Sequence, residues 1–208
     1  MLFKNCISIL LIVLSLVCQG YPVSQSVGAV TSGQNVSSVQ AKAAEVLNKI
    51  VTPDMDKPQI AAAIYNYVKQ NILYSGSSDK GLSWQDGAMI GFAEHAGDCY
   101  IYFSTAKALY EAAGIPNIDV IKRQTGQSSH YWSLIDVGSG WYHTDCTPRR
   151  SNTTDSFFLY TDREMLAYSA QHNNCFEFDP ASYPSRQTDS YQSRISYDGI
   201  AVRIKESR

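Results

Sequence analysis

Behind Asp98-Cys99, apolar residues recur at Phe103, Ala106, Leu109, Tyr110 and Ala113. Spacings of three and four trace one face of an α-helix. Asp98 is an N-cap residue, and Gly114 followed closely by Pro116 is a stop. A helix marked at both ends and apolar along one side must bury that side against other elements. It also sets Cys99 in its first turn, where unpaired amide N–H groups and the positive end of the helix dipole stabilise a thiolate. The alternative use of the same cysteine is a small buried residue at a helix start.

The flanking stretches supply what that helix packs on. Val39, Ala43, Val46, Leu47 and Ile50 line one face of a helix predicted over Ser38–Val51, ended by Thr52-Pro53-Asp54. Asp56 caps a second helix with Pro58 in its first turn, and Ile60, Ile64, Tyr67, Val68 and Ile72 form its buried stripe. Gly76 to Asp79 is a loop, and Ser83-Trp84-Gln85-Asp86 reads as a capping box for a short helix to Glu94. After the Cys99 helix, Ile118–Lys122 reads as a strand and Gln124–Ser129 as a polar connection. His130–Val137 and Trp141–Thr147 form a hairpin across Gly138-Ser139-Gly140. Phe157–Tyr160 adds a strand, Thr161-Asp162-Arg163-Glu164 opens a helix to about Ala170, and Ile200–Ile204 is a candidate edge strand. Helices packed on an antiparallel sheet make the fold class α+β, in one domain over 37–208.

The first 36 residues differ from this pattern. Lys4 precedes an apolar run from Ile7 to Val17, too short for a comfortable membrane span and suited to a signal peptide over 1–20, cut before Tyr21. An uncut anchor, or lipid attachment at Cys18, would instead hold the chain at a membrane. Residues 21–36 are rich in Ser, Gly, Gln and Val and read as a flexible linker. The expected location is therefore secreted or at the cell surface. A formal net charge of −2 gives no case for nucleic acid binding.

Two later stretches carry chemistry, Ser129-His130-Tyr131-Trp132 and Gly140-Trp141-Tyr142-His143-Thr144-Asp145-Cys146-Thr147-Pro148. With Gly97-Asp98-Cys99 they give a cysteine at a helix start, His-x-Trp in a strand, Gly-Trp, and Asp-x-Thr-Pro. In that order they resemble the transglutaminase-like superfamily, over about Ile60 to Pro184. The resemblance implies a papain/transglutaminase-like core with Cys99 as nucleophile, His130 as base and proton carrier, and Asp145 as the group that orients the imidazole. It places substrate-side or oxyanion-side groups at Trp84, Gln85 and Trp132, with plain packing as the alternative for Trp84. The Cys99 N–H is a candidate oxyanion donor. Of five cysteines, Cys6 and Cys18 fall in the leader, so the other three fit one disulfide and one free thiol. With Cys99 as nucleophile, Cys146 and Cys175 are the natural pair.

Spacing sets a condition on this triad. A two- or four-residue turn that sets Asp145 opposite Leu134 keeps it on the face of His130. Leu134 lies four residues from His130, roughly 13 Å along an ideal strand, so closing the triad takes a bulge, a strong twist or a shifted register. His143 shares that face and reads as a surface residue, with a supporting position beside the triad as the alternative. His95 reads as a helix C-terminal cation, and His172 as structural. Zinc is a competing use of Cys99, His130, His143, Asp145 and Cys146, but they lack the close paired spacing of structural zinc sites.

The expected function is an exported cysteine acyl-transfer enzyme on protein or peptide amides, working through a thioester and needing neither metal nor cofactor. The extra β-domains and acidic calcium clusters associated with large animal transglutaminases are missing from this sequence. A small bacterial-type peptidase or amidase is therefore expected over a crosslinking enzyme. The alternative is a binding or cell-envelope module that retains the fold without turnover.

Overall fold

The computed structural model describes residues 27–79, 81–123, 129–149 and 156–191, with side chains of the first helix described from Ser38 onward. The expected signal peptide, residues 124–128 of the polar connection and the candidate strand at 200–204 lie outside the described residues.

Four helices come first. Helix α1 spans Val27–Ile50, so residues 27–36, expected in a linker, are helical. No proline interrupts that stretch, and a helix already nucleated gains one backbone bond per added residue. Helix α2, Lys57–Asn71, starts with a complete capping box between Asp56 and Gln59 and carries Pro58 in its first turn. Helix α3 is Trp84–Glu94, with Ser83 accepting from the Asp86 amide. It ends at His95, exposed and in the left-handed region at φ 52°. Helix α4 is Cys99–Ala112, and the Asp98 side chain caps it by accepting from the Tyr100 amide. Gly114, at φ +66°, ends that turn.

The sheet follows. Strands β3 (Asn117–Ile121), β4 (Tyr131–Asp136), β5 (Trp141–Asp145) and β6 (Phe157–Tyr160) lie side by side in that order, all antiparallel. Helix α5, Asp162–Gln171, opens with a capping box between Thr161 and Glu164. Two-residue strands β1 (Leu73–Tyr74) and β2 (Ala96–Gly97) pair in parallel beside the start of α4. The α+β architecture expected from the sequence is the observed one.

Period-two alternation splits the sheet between two cores. Ile135, Val137, Tyr142, Cys146 and Phe158 face the helical layer and pack with Val39, Ala43, Ile64, Tyr65, Ile101, Tyr102, Leu109 and Tyr110. Val120, Trp132, Leu134 and Phe157 face the other way, toward Met165 of α5 and toward Phe176 and Phe178. One extra residue in β6, Leu159 at φ 55°, shifts the pairing so that His143 meets Tyr160 while Thr144 meets Phe158. Phe158 and Leu159 therefore both join the helical core.

Helices α3 and α4 pack closely and antiparallel. A Cβ on Gly87 would stand 2.7 Å from Ser104 Oγ, and one on Gly91 2.0 Å from Thr105 Oγ1. Neither contact is compatible with a side chain, so these two glycines set the approach of the helix that carries Cys99.

Candidate active site

Cys99 is the first residue of α4, so no carbonyl within the helix reaches its N–H. Asp98 anchors this helix start from both sides. Its carboxylate caps Tyr100 N at 3.0 Å and accepts from Ser78 N at 2.9 Å and Ser78 Oγ at 2.8 Å. The start of α4 is thereby tied to the loop after β1. The thiol points at the head of β4, with Sγ 3.9 Å from the carbonyl of Ser129, the residue before His130.

His130 and Asp145 meet through the register of the hairpin. Leu134 pairs with His143 and Ser133 with Thr144. One further step along the same register sets Asp145 across from Trp132, not Leu134. The two-residue shift leaves Asp145 on its expected face and halves its separation from His130 to about 7 Å along the strand. Side chains cover that distance, and His130 Nε2 donates to Asp145 Oδ2 at 2.8 Å. The other carboxylate oxygen accepts from Thr147 N at 2.9 Å. With Nε2 engaged by Asp145, Nδ1 is the nitrogen left for the thiol, and Cys99 is near enough to favour the protonated ring.

The site is nearly closed to solvent: Cys99 is 7 % exposed, His130 8 % and Asp145 2 %. Burial by itself pushes the imidazole toward its neutral form. The charge and hydrogen bond of Asp145, with a smaller contribution from the Cys99 thiol, overcome this and raise His130 from 6.5 to about 9. The balance for Asp145 runs the other way. Burial would raise its carboxyl, but His130, Arg149 and the Thr147 amide hold it below the usual value. At neutral pH the pair is imidazolium and carboxylate.

Arg149 is the residue that sequence reasoning missed. It lies four residues after Asp145, and its Nη2 donates to Asp145 Oδ2 at 3.2 Å. The same nitrogen stands 3.4 Å from His130 Nε2, so two N–H groups converge on one carboxylate oxygen. The guanidinium lies over the rings of Phe176, at 4.1 Å, and Phe157, at 5.1 Å. An arginine directly after Asp-x-Thr-Pro was the available signal.

Of the three expected substrate-side residues, Trp132 lies against His130, and Trp84 and Gln85 lie away from Cys99. Trp132 is 1 % exposed, stacked beneath His130 with ring centroids 5.8 Å apart, and so supports the imidazole and is walled off from any ligand. Its indole N–H donates to His143 Nδ1 at 3.0 Å. His143 Nε2 in turn donates to Asp162 Oδ1 at 2.8 Å, and Arg186 grips the same carboxylate. His143, expected at the surface, is fully buried, and burial holds its ring toward the neutral form. Trp84 and Gln85 open α3 and line a cavity of about 390 Å³ with Ala108, Glu111 and Ala112, in the second half of α4. Antiparallel packing carried them there. Nine helical residues, roughly 13 Å of rise, separate Cys99 from Ala108.

The three cysteines of the described residues are free thiols. The expected Cys146–Cys175 pair does not form because the two belong to different cores. Cys146 faces the helical layer, and Cys175 packs against the cluster on the far side of the sheet. Among the described residues, no group of three or more His, Cys, Asp or Glu side chains is placed to hold a metal ion.

Residues 44–146 match the transglutaminase-like superfamily. Cys99, His130 and Asp145 all fall inside that span. None of the curated proteins matches the chain. Among solved structures, the chain is similar to a presumed cysteine protease from Cytophaga hutchinsonii, with 22 % identity and a TM-score of 0.40 over 61 % of this chain and 45 % of that one. It is also similar to a TGase, with 14 % identity and a TM-score of 0.41 over 69 % of this chain and 39 % of the other. The chain thus spans less than half the length of either.

Proposed function

Because residues 44–146 carry a transglutaminase-like domain, we propose that the protein is an exported cysteine acyl-transfer enzyme. Its substrates are protein or peptide amides, and water is the usual acyl acceptor. The observation that carries this reading is the 2.8 Å bond from His130 Nε2 to Asp145 Oδ2, with the other face of the imidazole turned to a thiol at a helix start.

In the first half-reaction Cys99 Sγ attacks the amide carbon. The C–S bond forms, and the carbonyl oxygen takes up negative charge beside the Cys99 N–H. The C–N bond then breaks as imidazolium His130 gives its proton to the leaving nitrogen, which departs as an amine or ammonia. In the second half-reaction water attacks the thioester and passes its proton to neutral His130. The C–S bond breaks, and the acid leaves with the Cys99–His130 pair restored. A primary amine in place of water gives a new amide and makes the same site a transglutaminase. Asp145 keeps the proton on Nε2 and the ring turned to the thiol throughout.

The test is incubation of the reduced protein, with Cys99→Ala beside it, in a mixed protein substrate containing excess fluorescent primary amine. Mass spectrometry then reads cut peptide bonds, deamidated glutamine and incorporated amine. Cleavage or deamidation that depends on Cys99 is the expected result. Cys99-dependent amine incorporation alone would replace hydrolysis with crosslinking, and products that survive Cys99→Ala would refute the thiol mechanism.

A further inference from the structure

We propose that Arg149 is a positioning residue of this site, supplying the fourth charge that lets a buried thiolate, imidazolium and carboxylate exist together. The inference rests on the acyl-transfer reading above and adds a residue to it.

The reactive state of a cysteine–histidine–aspartate site holds two negative charges and one positive. In water the residual charge is of little consequence. Here the three groups are 7 %, 8 % and 2 % exposed, and a net charge removed from water is costly unless a partner is held in contact. Arg149 is that partner, and with it the four groups sum to zero. Its side chain bonds Asp145 Oδ2 at 3.2 Å. The ring of Phe176 lies against the guanidinium and also meets His130 edge-on at 5.6 Å. One aromatic side chain thus sets the spacing of both cations around one carboxylate.

The position has a second consequence. Arg149 Nη2 lies 3.4 Å from His130 Nε2, so its charge opposes protonation of the imidazole that Asp145 promotes. Asp145 makes His130 a proton carrier, and Arg149 keeps it willing to part with the proton. That matters most in the acyl-enzyme. There the sulfur is bonded to carbon and carries no charge, and His130 must be neutral to accept a proton from water.

The experiment uses p-nitrophenyl acetate, whose good leaving group makes hydrolysis of the acyl-enzyme the slow step. Arg149→Gln keeps a hydrogen-bond donor beside Asp145 without the charge, and Arg149→Lys keeps the charge without the planar group. The expected result for Arg149→Gln is a slower p-nitrophenol burst, because the thiolate loses the cation that balances it, followed by slower steady-state turnover. The acid limb of kcat should move up by about one pH unit, which is tenfold in free base at a pH well below the limb. Arg149→Lys should return the limb to its wild-type position. The limb's position does not depend on the folded fraction, so a merely destabilised variant would lower the rate without moving it. An acid limb unmoved in Arg149→Gln, or moved equally in Arg149→Lys, would overturn the proposal. Loss of the wild-type burst in Cys99→Ala checks the acyl-transfer reading separately.

Discussion

Replacing Asp145 with asparagine keeps the size of the side chain and removes its charge. In the wild-type site the Asp145 charge and hydrogen bond raise His130 from 6.5 to about 9 against burial and Arg149. Without that charge, little is left to oppose both, and the imidazole falls back to about its ordinary 6.5. A group titrating at about 9 is about 97 % protonated at pH 7.5, whereas one at 6.5 is about 9 % protonated. The share of enzyme able to protonate a leaving nitrogen therefore drops about tenfold or more. The assay is kcat/KM for ammonia release from a glutamine-containing peptide between pH 5 and 10, since that ratio reports groups of the free enzyme. Wild type should hold its activity until pH approaches 9. Asp145→Asn should lose at least about tenfold at pH 7.5 and recover part of it toward pH 6. An alkaline limb that stays near 9 in the variant would refute the assignment of Asp145 as the group that keeps His130 charged.

Iodoacetamide should label Cys99 well before Cys146 or Cys175, because burial pushes both of the latter thiols up. Mass spectrometry of a time course checks this, and equal rates would remove the argument for an activated thiol. Asp162 stabilises the fold in a defined pH window. Burial alone would raise its carboxyl, but hydrogen bonds from His143 and Arg186 hold it far below its ordinary value. Its contribution is therefore present above the unfolded carboxyl value and is lost as pH falls toward the folded one. Melting curves from pH 7 down to 2.5 should show wild type and Asp162→Asn converging at the acid end, and a constant gap would count against this coupling. Gly91→Ala would drive a methyl group to 2.0 Å from Thr105 Oγ1, whose hydroxyl is bonded to Ile101 O at 2.8 Å. Overpacking of this kind costs about 2 kcal/mol, more than alanine's better helix propensity returns. A lowered urea midpoint is expected, and an unchanged or raised one would mean that α3 and α4 separate freely.

What the sequence determined alone was local. Asp56, Ser83, Asp98 and Thr161 cap the helices they were expected to cap, because a cap is settled by a side chain and an amide two or three residues away. The strands and the hairpin follow from period-two patterns and from Gly138 and Gly140 at positive φ. The residues the proposed chemistry uses were legible too, since Cys99, His130 and Asp145 each sit in a short recognisable motif. Tertiary structure decided what depends on distance through space. The two-residue register difference that brings Asp145 within 2.8 Å of His130 preserves the face of every side chain, so alternation alone does not reveal it. Antiparallel packing took Trp84 and Gln85 to the far end of α4, although they precede Cys99 by few residues. Burial turned Trp132 and His143 from candidate contact and surface residues into the support beneath His130. Cys146 and Cys175 ended on opposite sides of the sheet. Arg149 gained its place from Asp145 and two phenylalanines, Phe157 and Phe176, that only the folded chain brings around it.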